Sequence, residues 1–245
     1  MAKTLHLRQA KLLPRGLLAS ASASVVGLGT LGSWSALSLI KMGVPTIHLW
    51  DGDKVERHNA ALQQYWPIES GVAKVDCMAD AATSHEVETF GHRWWRGQHL
   101  GTRFIVNAVD KWNVRQQIAH VAFQREAEEV TTHIIDLRSG RETLLVYCVD
   151  LSKSYHREAY LDTFQGDPLP IDCRAQGMVH VGMRAGAETS ALVAAILRGH
   201  TAPFMQLINL NLFDTEVTMH PTQIVDYDYT QLEERTSRTF GTAPA

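Results

Sequence analysis

Cysteine is scarce in this chain: Cys77, Cys148 and Cys173 are the only three in 245 residues. No two of them stand as Cys-x-x-Cys, which excludes a disulfide framework and a paired-cysteine zinc site. So low a count suits a reducing, cytoplasmic compartment. Long apolar runs are also missing, and none approaches the ~20 residues that a membrane-spanning helix needs. The N-terminal stretch MAKTLHLRQAKLLPRGLLASASAS begins with a basic residue, but Arg8, Lys11 and Arg15 interrupt its apolar residues, so no continuous secretory core forms. Excess charge of either sign is small, with a net of -3. That argues against a nucleic-acid or membrane partner, both of which ask for a strongly basic surface. Internal repeats and low-complexity linkers are absent as well. The expectation is one domain over 1–245, long enough to bury a core without metal or disulfide.

The residues present alternate between two periods. After a helical segment over 1–22, in which Pro14 divides two short helices, ASVVGLG (23–29) reads as a buried strand entering a glycine turn. TLGSWSALSLIKMG then has helical spacing and ends on Gly43, the residue for a left-handed cap. TIHLWD is a second strand. SGVAKVDCMADAATSH reads as a helix capped by Ser70, EVETFGHRW as an edge strand, TRFIVNAVD as a buried strand ending at Asp110, and KWNVRQQIAHVAFQREA as an amphipathic helix. Beyond residue 128 the pattern becomes two consecutive strands, VTTHIIDLRSG and RETLLVYCVDL. A polar crossover loop containing His156 and Tyr160 follows, then a long Ala- and Gly-containing helix and one or two final strands. The fold class is therefore α/β: a Rossmann-like, mostly parallel sheet with helices on both faces, continued by antiparallel strands in the C-terminal half. Residues 23–128 would form a nucleotide-binding core, and 129–245 a sheet extension with substrate or dimer elements.

Gly27, Gly29 and Gly32 form G-x-G-x-x-G between a strand and a helix. The first glycine allows the tight turn, the second lets a phosphate approach the backbone, and the third lets helix and strand pack closely. Backbone amides at the helix start favour an anion. Asp51, at the end of the second strand, is placed to accept hydrogen bonds from ribose hydroxyls. This pattern alone does not choose between NAD, FAD and ATP. Asp53, Asn59 and Gln63 are not needed by a dehydrogenase. Lys74 could reach a phosphate or be a solvated surface lysine. Asp110 lies at the carboxyl edge, where open α/β sheets bind ligands, and a carboxylate beside a triphosphate calls for Mg²⁺ between them. Cys77 and Cys148 read as core residues. Trp94 and Trp95, in RWWR, read as an interface patch or a half-buried aromatic pair.

The order GLGTLGS, D-G-D-K-V-x-x-x-N-x-x-x-Q, G-V-A-K and V-D-K-W-N-V-R resembles the ThiF/MoeB group of the ubiquitin-activating-enzyme superfamily over residues 23–199, most specifically between Gly27 and Arg115. The resemblance implies an ATP- and Mg²⁺-dependent adenylyltransferase that activates the C-terminal carboxylate of a ubiquitin-like or sulfur-carrier protein, working as a homodimer. Carried over by motif, Asp51 would hold ribose, Asn59, Gln63 and Lys74 would face the phosphates, and Asp110 would organise Mg²⁺. Arg115 matches an arginine common in the helix after that aspartate, and would otherwise be a surface or helix-pairing residue. Arg8 is a candidate for an N-terminal arginine supplied by a partner subunit. Cys173 matches a cysteine that accepts the activated carrier in some relatives, and equally fits a small core position. One departure stands out: the family's arginine before the glutamine is Leu62 here. It keeps open a nucleotide-binding scaffold that recruits a partner without turnover. Adenylation of a small molecule or a tRNA base is compatible with the same ATP site, and an NAD(P) oxidoreductase comes last.

Overall fold

The computed structural model describes residues 8–82, 86–95, 98, 100–124, 131–140, 142–165 and 178–221. Eight strands form one sheet in the order β3-β2-β1-β4-β5-β6-β7-β8. The strands are β1 (Ser22–Val26), β2 (Thr46–Trp50), β3 (Glu86–Phe90), β4 (Phe104–Asn107), β5 (His133–Gly140), β6 (Thr143–Asp150), β7 (Met205–Asn209) and β8 (Asp214–Thr218). Every pairing from β3 through β5 is parallel, and every pairing from β5 to β8 is antiparallel. β1 and β4 are buried almost end to end because helices cover both faces of the parallel half. β8 is a mostly exposed edge strand. The mixed sheet agrees with the sequence pattern, including the antiparallel continuation.

The helices are α1 (Arg15–Leu18), α2 (Thr30–Met42), α3 (Lys74–Asp80), α4 (Trp112–Gln124), α5 (Ser154–Asp162) and α6 (Val179–Leu197). α2 ends as its sequence demands. Gly43 adopts φ 92°, and its N–H together with that of Val44 closes the carbonyls of Leu39 and Ile40. One apolar cluster joins α2, α3 and α6 to one face of the sheet; the other joins α4 and α5 to the opposite face, around Trp50, Tyr160 and Phe204. Glycines on α6 allow that helix to lie directly on α2. A Cβ at Gly186 would sit 2.6 Å from the Trp34 carbonyl oxygen, and one at Gly182 would sit 2.5 Å from the Trp34 ring. Ser35 and Thr189 hydrogen-bond across the same contact at 3.0 Å.

Three local expectations are corrected. The helix after the glycine turn unit begins at Lys74, with Ala73 as its N-cap; Ser70 closes a one-turn 3-10 segment instead, so it does not cap α3. The stretch expected as a polar loop contains α5, and His156 and Tyr160, four residues apart on one helical face, are buried rather than solvated. Asp110 lies three residues past the end of β4, in the loop that follows. At the N-terminus, residues 8–12 form turns before Pro14 starts the four-residue α1. Trp94 is buried and Trp95 exposed, the half-buried arrangement.

Candidate active site

The chain reverses its direction of winding at β1, which has β2 on one side and β4 on the other, so a crevice opens beyond their carboxyl ends. The glycine turn lies in this crevice. Gly27 has φ 88°, and a Cβ there would be 2.8 Å from the Ala108 carbonyl oxygen, so β1 and β4 exit side by side only with glycine. A Cβ on Gly32 would lie 1.8 Å from the Gly27 carbonyl oxygen, which makes it the residue that brings α2 down onto the turn. Gly29 is the N-cap of α2 and faces open space, with nothing within 4 Å of where a Cβ would point. That space, beside the free amides at the start of a thirteen-residue helix, is where an anion would approach.

Asp51 anchors the other wall. Its Oδ2 accepts the Leu28 amide at 2.6 Å and its Oδ1 accepts the Asp53 amide at 2.8 Å, tying the end of β2 to the glycine turn. Lys74 is 5% exposed, and its Nζ lies 4.0 Å from Asp51 Oδ2 and 3.7 Å from Asp53 Oδ2. A surface lysine is thereby ruled out in favour of a buried ammonium at the mouth of the crevice. Asp53 also meets Arg93 at 3.3 Å.

Gln63 reaches the same region because its segment is pinned to the start of α2; Asn59 lies earlier in that segment, its carbonyl accepting the Leu62 and Gln63 amides. Trp34 Nε1 donates to the Leu62 carbonyl at 3.0 Å, Gln64 N donates to Ser33 Oγ at 3.1 Å, and the Tyr65 hydroxyl donates to the Leu28 carbonyl at 3.1 Å. Burial, then Asp51, pushes the Tyr65 pKa far up, so this hydroxyl remains a neutral donor. Among the described residues, the Gln63 amide oxygen is buried without a partner. An unpaired buried amide costs free energy unless water or a ligand completes it, so its position beside the turn fits an incoming polar group.

Asp110 is exposed in the loop after β4. Behind it, Arg115 is buried and holds the carbonyls of Asn107 and Val109 while pairing with Asp136. Arg115 is thus a brace for the Asp110 loop, not a surface residue. Asp136 is fully buried and also binds Arg138 Nε at 2.8 Å. The Arg138 guanidinium stands 4.6 Å from the Tyr147 ring centre, 4.8 Å from Trp112 and 5.1 Å from Phe164, so aromatic faces share its charge. Sequence reasoning missed this cluster. Its one signal was the pair of charges two apart in the otherwise apolar strand IIDLRSG, which puts both on one face.

Arg8 is exposed, and its neighbour Gln9 hydrogen-bonds the Met42 carbonyl at the C-terminal end of α2. A thirteen-residue helix is about 20 Å long, so within its own chain Arg8 sits at the far end of α2 from the glycine turn. Cys173 lies outside the described residues. Burial pushes Cys77 up to about 11 and Cys148 up to about 12, so both remain neutral thiols in the core. At the opposite, amino edge of the sheet is a cavity of about 210 Å³ lined in part by His133, Asp150, Lys153, His156 and His200. It has no contact with the glycine turn. Among the described residues, no helix is long and apolar enough to cross a membrane.

A glycine-turn crevice with an aspartate at the end of β2, a buried lysine and an aspartate at the carboxyl edge is the arrangement of a nucleotide-binding α/β protein. The chain belongs to the ThiF family, whose model matches residues 14–223. Its fold is shared with solved structures at low identity. PaaA is 18% identical with a TM-score of 0.67, over 90% of this chain and 76% of that one. MccB of E. coli, solved with MccA, is 14% identical with a TM-score of 0.68, over 91% and 74%. The E. coli tRNA N6-threonylcarbamoyladenosine dehydratase TcdA is 18% identical with a TM-score of 0.62, over 80% and 95%. No curated protein matches the chain in sequence. The family membership makes this an adenylyltransferase-type enzyme.

Proposed function

We propose that the chain uses ATP to adenylate a substrate carboxylate, forming an acyl-adenylate and releasing pyrophosphate. The observation that carries the reading is Lys74, a buried ammonium held at the mouth of the glycine-turn crevice. The substrate carboxylate oxygen attacks the α-phosphorus; the new O–P bond replaces the bond to the bridging oxygen, and the electron pair leaves with pyrophosphate. Charge accumulates on phosphate oxygens, so catalysis rests on cations and oriented amides, with little proton transfer. In this assignment Gly27, Gly29 and Gly32 shape the phosphate cradle, Asp51 accepts from ribose, Asp53 balances the local cations, and Asn59, Gln63 and Lys74 meet the phosphates. Asp110, exposed and otherwise uncommitted, would hold Mg²⁺, which supplies charge neutralisation between the phosphates.

Structures with the same fold support ATP and leave the acceptor broad. MccB has been solved with ATP and with MccA, and TcdA is named for a tRNA modification. The acceptor we favour is the C-terminal carboxylate of a ubiquitin-like or sulfur-carrier protein, or of a peptide, in the cytoplasm. We further assign a homodimer, because Arg8 could reach an ATP site only from a partner subunit's N-terminus; Cys173 would be the later thiol acceptor. The test is ATP–pyrophosphate exchange with Gly-Gly-ended proteins and free peptides, and with tRNA as the competing acceptor. Exchange that depends on one class of carboxylate is expected. ATP binding without exchange on a verified partner would leave only a nucleotide-binding scaffold, the reading that Leu62 keeps in view.

A further inference from the structure

We propose that Arg93 is a positioning residue that acts through Asp53 to keep Lys74 available to phosphate. The inference rests on reading the crevice as a site for a nucleoside triphosphate. Lys74 has two carboxylate neighbours, and they are held differently. The Asp51 carboxylate is satisfied without it, because the Leu28 and Asp53 amides donate to both of its oxygens. Among the described residues the Asp53 carboxylate has no such backbone donors; it faces Lys74 with Oδ2 at 3.7 Å and Arg93 with Oδ1 at 3.3 Å. A triphosphate therefore competes with Asp53 for the Lys74 ammonium. Whatever else neutralises Asp53 decides how much that competition costs.

Arg93 is built for this purpose by the backbone beneath it. It lies in the segment after β3, and a Cβ on Gly52 would come within 3.0 Å of its amide nitrogen. Glycine between Asp51 and Asp53 thus lets the two segments touch, setting the Arg93 backbone against the Asp53 turn. Its side chain is 65% exposed, so the guanidinium can turn fully onto Asp53 when Lys74 departs. A guanidinium offers two donors to both oxygens of one carboxylate, which a single ammonium does not. Asp53 then keeps a counter-ion throughout, and Lys74 moves to the ligand without leaving a bare carboxylate beside anionic phosphates.

The experiment is titration of ATP, without acceptor, into the full-length chain carrying Arg93→Ala, Asp53→Asn, both, or Arg93→Lys. Partly exposed ion pairs contribute up to about 1 kcal/mol, so Arg93→Ala should weaken ATP by about two- to fivefold. In the Asp53→Asn background the same substitution should change nothing, because Asp53 no longer competes for Lys74; Arg93→Lys should recover part of the loss. In pyrophosphate exchange the change should fall on the KM for ATP and leave kcat in place. An equal loss from Arg93→Ala with and without Asp53 would overturn the inference, since Arg93 would then act on the nucleotide directly or through the fold. No loss at all would overturn it too. Failure of the unsubstituted chain to bind ATP would overturn the nucleotide reading, and this inference with it.

Discussion

Two charge clusters flank the carboxyl end of the sheet, and they are built on opposite terms. Asp51, Asp53, Lys74 and Arg93 form an open cluster of two carboxylates and two cations. Its Asp53 is half exposed, and its contacts are long, from 3.3 to 4.0 Å. Arg115, Asp136 and Arg138 form a sealed cluster of one carboxylate and two cations, each under 10% exposed, with backbone carbonyls, Thr163 and aromatic rings completing the shell. The Asp53–Arg93 pair is solvated and the contacts to the buried Lys74 are long, so the pairing contributes little stability and the first cluster can exchange partners with a ligand. Desolvated pairs cannot part without stranding a charge, so the second holds the Asp110 loop in one place. A working site of this kind needs both: groups that let go, on a frame that does not.

The largest expected effect comes from breaking the sealed cluster. Asp136→Asn leaves two buried guanidinium groups without a carboxylate and should lower stability by about 3–5 kcal/mol, measured by urea unfolding. A loss of under 1 kcal/mol would show that carbonyls and rings alone carry those charges, and the contrast between the clusters would fail.

Next is the open cluster. Lys74→Ala should lower kcat/KM in pyrophosphate exchange by about 10²–10³, the usual cost of deleting one group that stabilises transition-state charge. Its urea midpoint should move much less than that of Asp136→Asn. A midpoint shift as large would make Lys74 a structural residue and erase the distinction.

The smallest effect at neutral pH belongs to a control. Burial pulls His133 and His156 down to about 4, from an ordinary value of 6.5. Both are neutral in the fold at pH 7, and His156 Nδ1 accepts the Asp150 amide at 3.1 Å. Between pH 6.5 and about 4 the unfolded chain binds protons that the folded chain does not. Their contribution to stability is therefore complete above 6.5 and is lost as the pH falls through that window. His156→Gln should flatten the slope of unfolding free energy against pH there. An unchanged slope would show that the buried His156 ring does not set the acid sensitivity in that window.

Much of the open cluster was legible from the sequence, because its parts follow local rules. A glycine that must adopt positive φ, an aspartate at a strand end and a lysine within a helix are each specified by neighbours within a few residues. Ser70 and the loop assigned around His156 show the limit of such rules. A favourable cap residue is unused when the chain needs another turn before the helix, and a polar segment becomes helical when Tyr160 and His156 find a core on one side. Arg115 read as an arginine common in the family, or otherwise as a surface or helix-pairing residue, because nothing local announces that Asp136, 21 positions away, will stand beside it.

The sequence by itself determined the strand–turn–helix unit and the class of ligand that unit favours, since periodicity and turn chemistry are short-range properties of the backbone; the order of its motifs carried the resemblance to the family. Only the tertiary structure decided that Lys74 is buried between two aspartates, that Arg93 shares one of them, and that Arg8 lies at the wrong end of α2 to serve its own site. Those facts depend on which strands become neighbours in the sheet. Strand order follows from burying two faces of one sheet at once, a requirement of the whole chain and not of any segment in it.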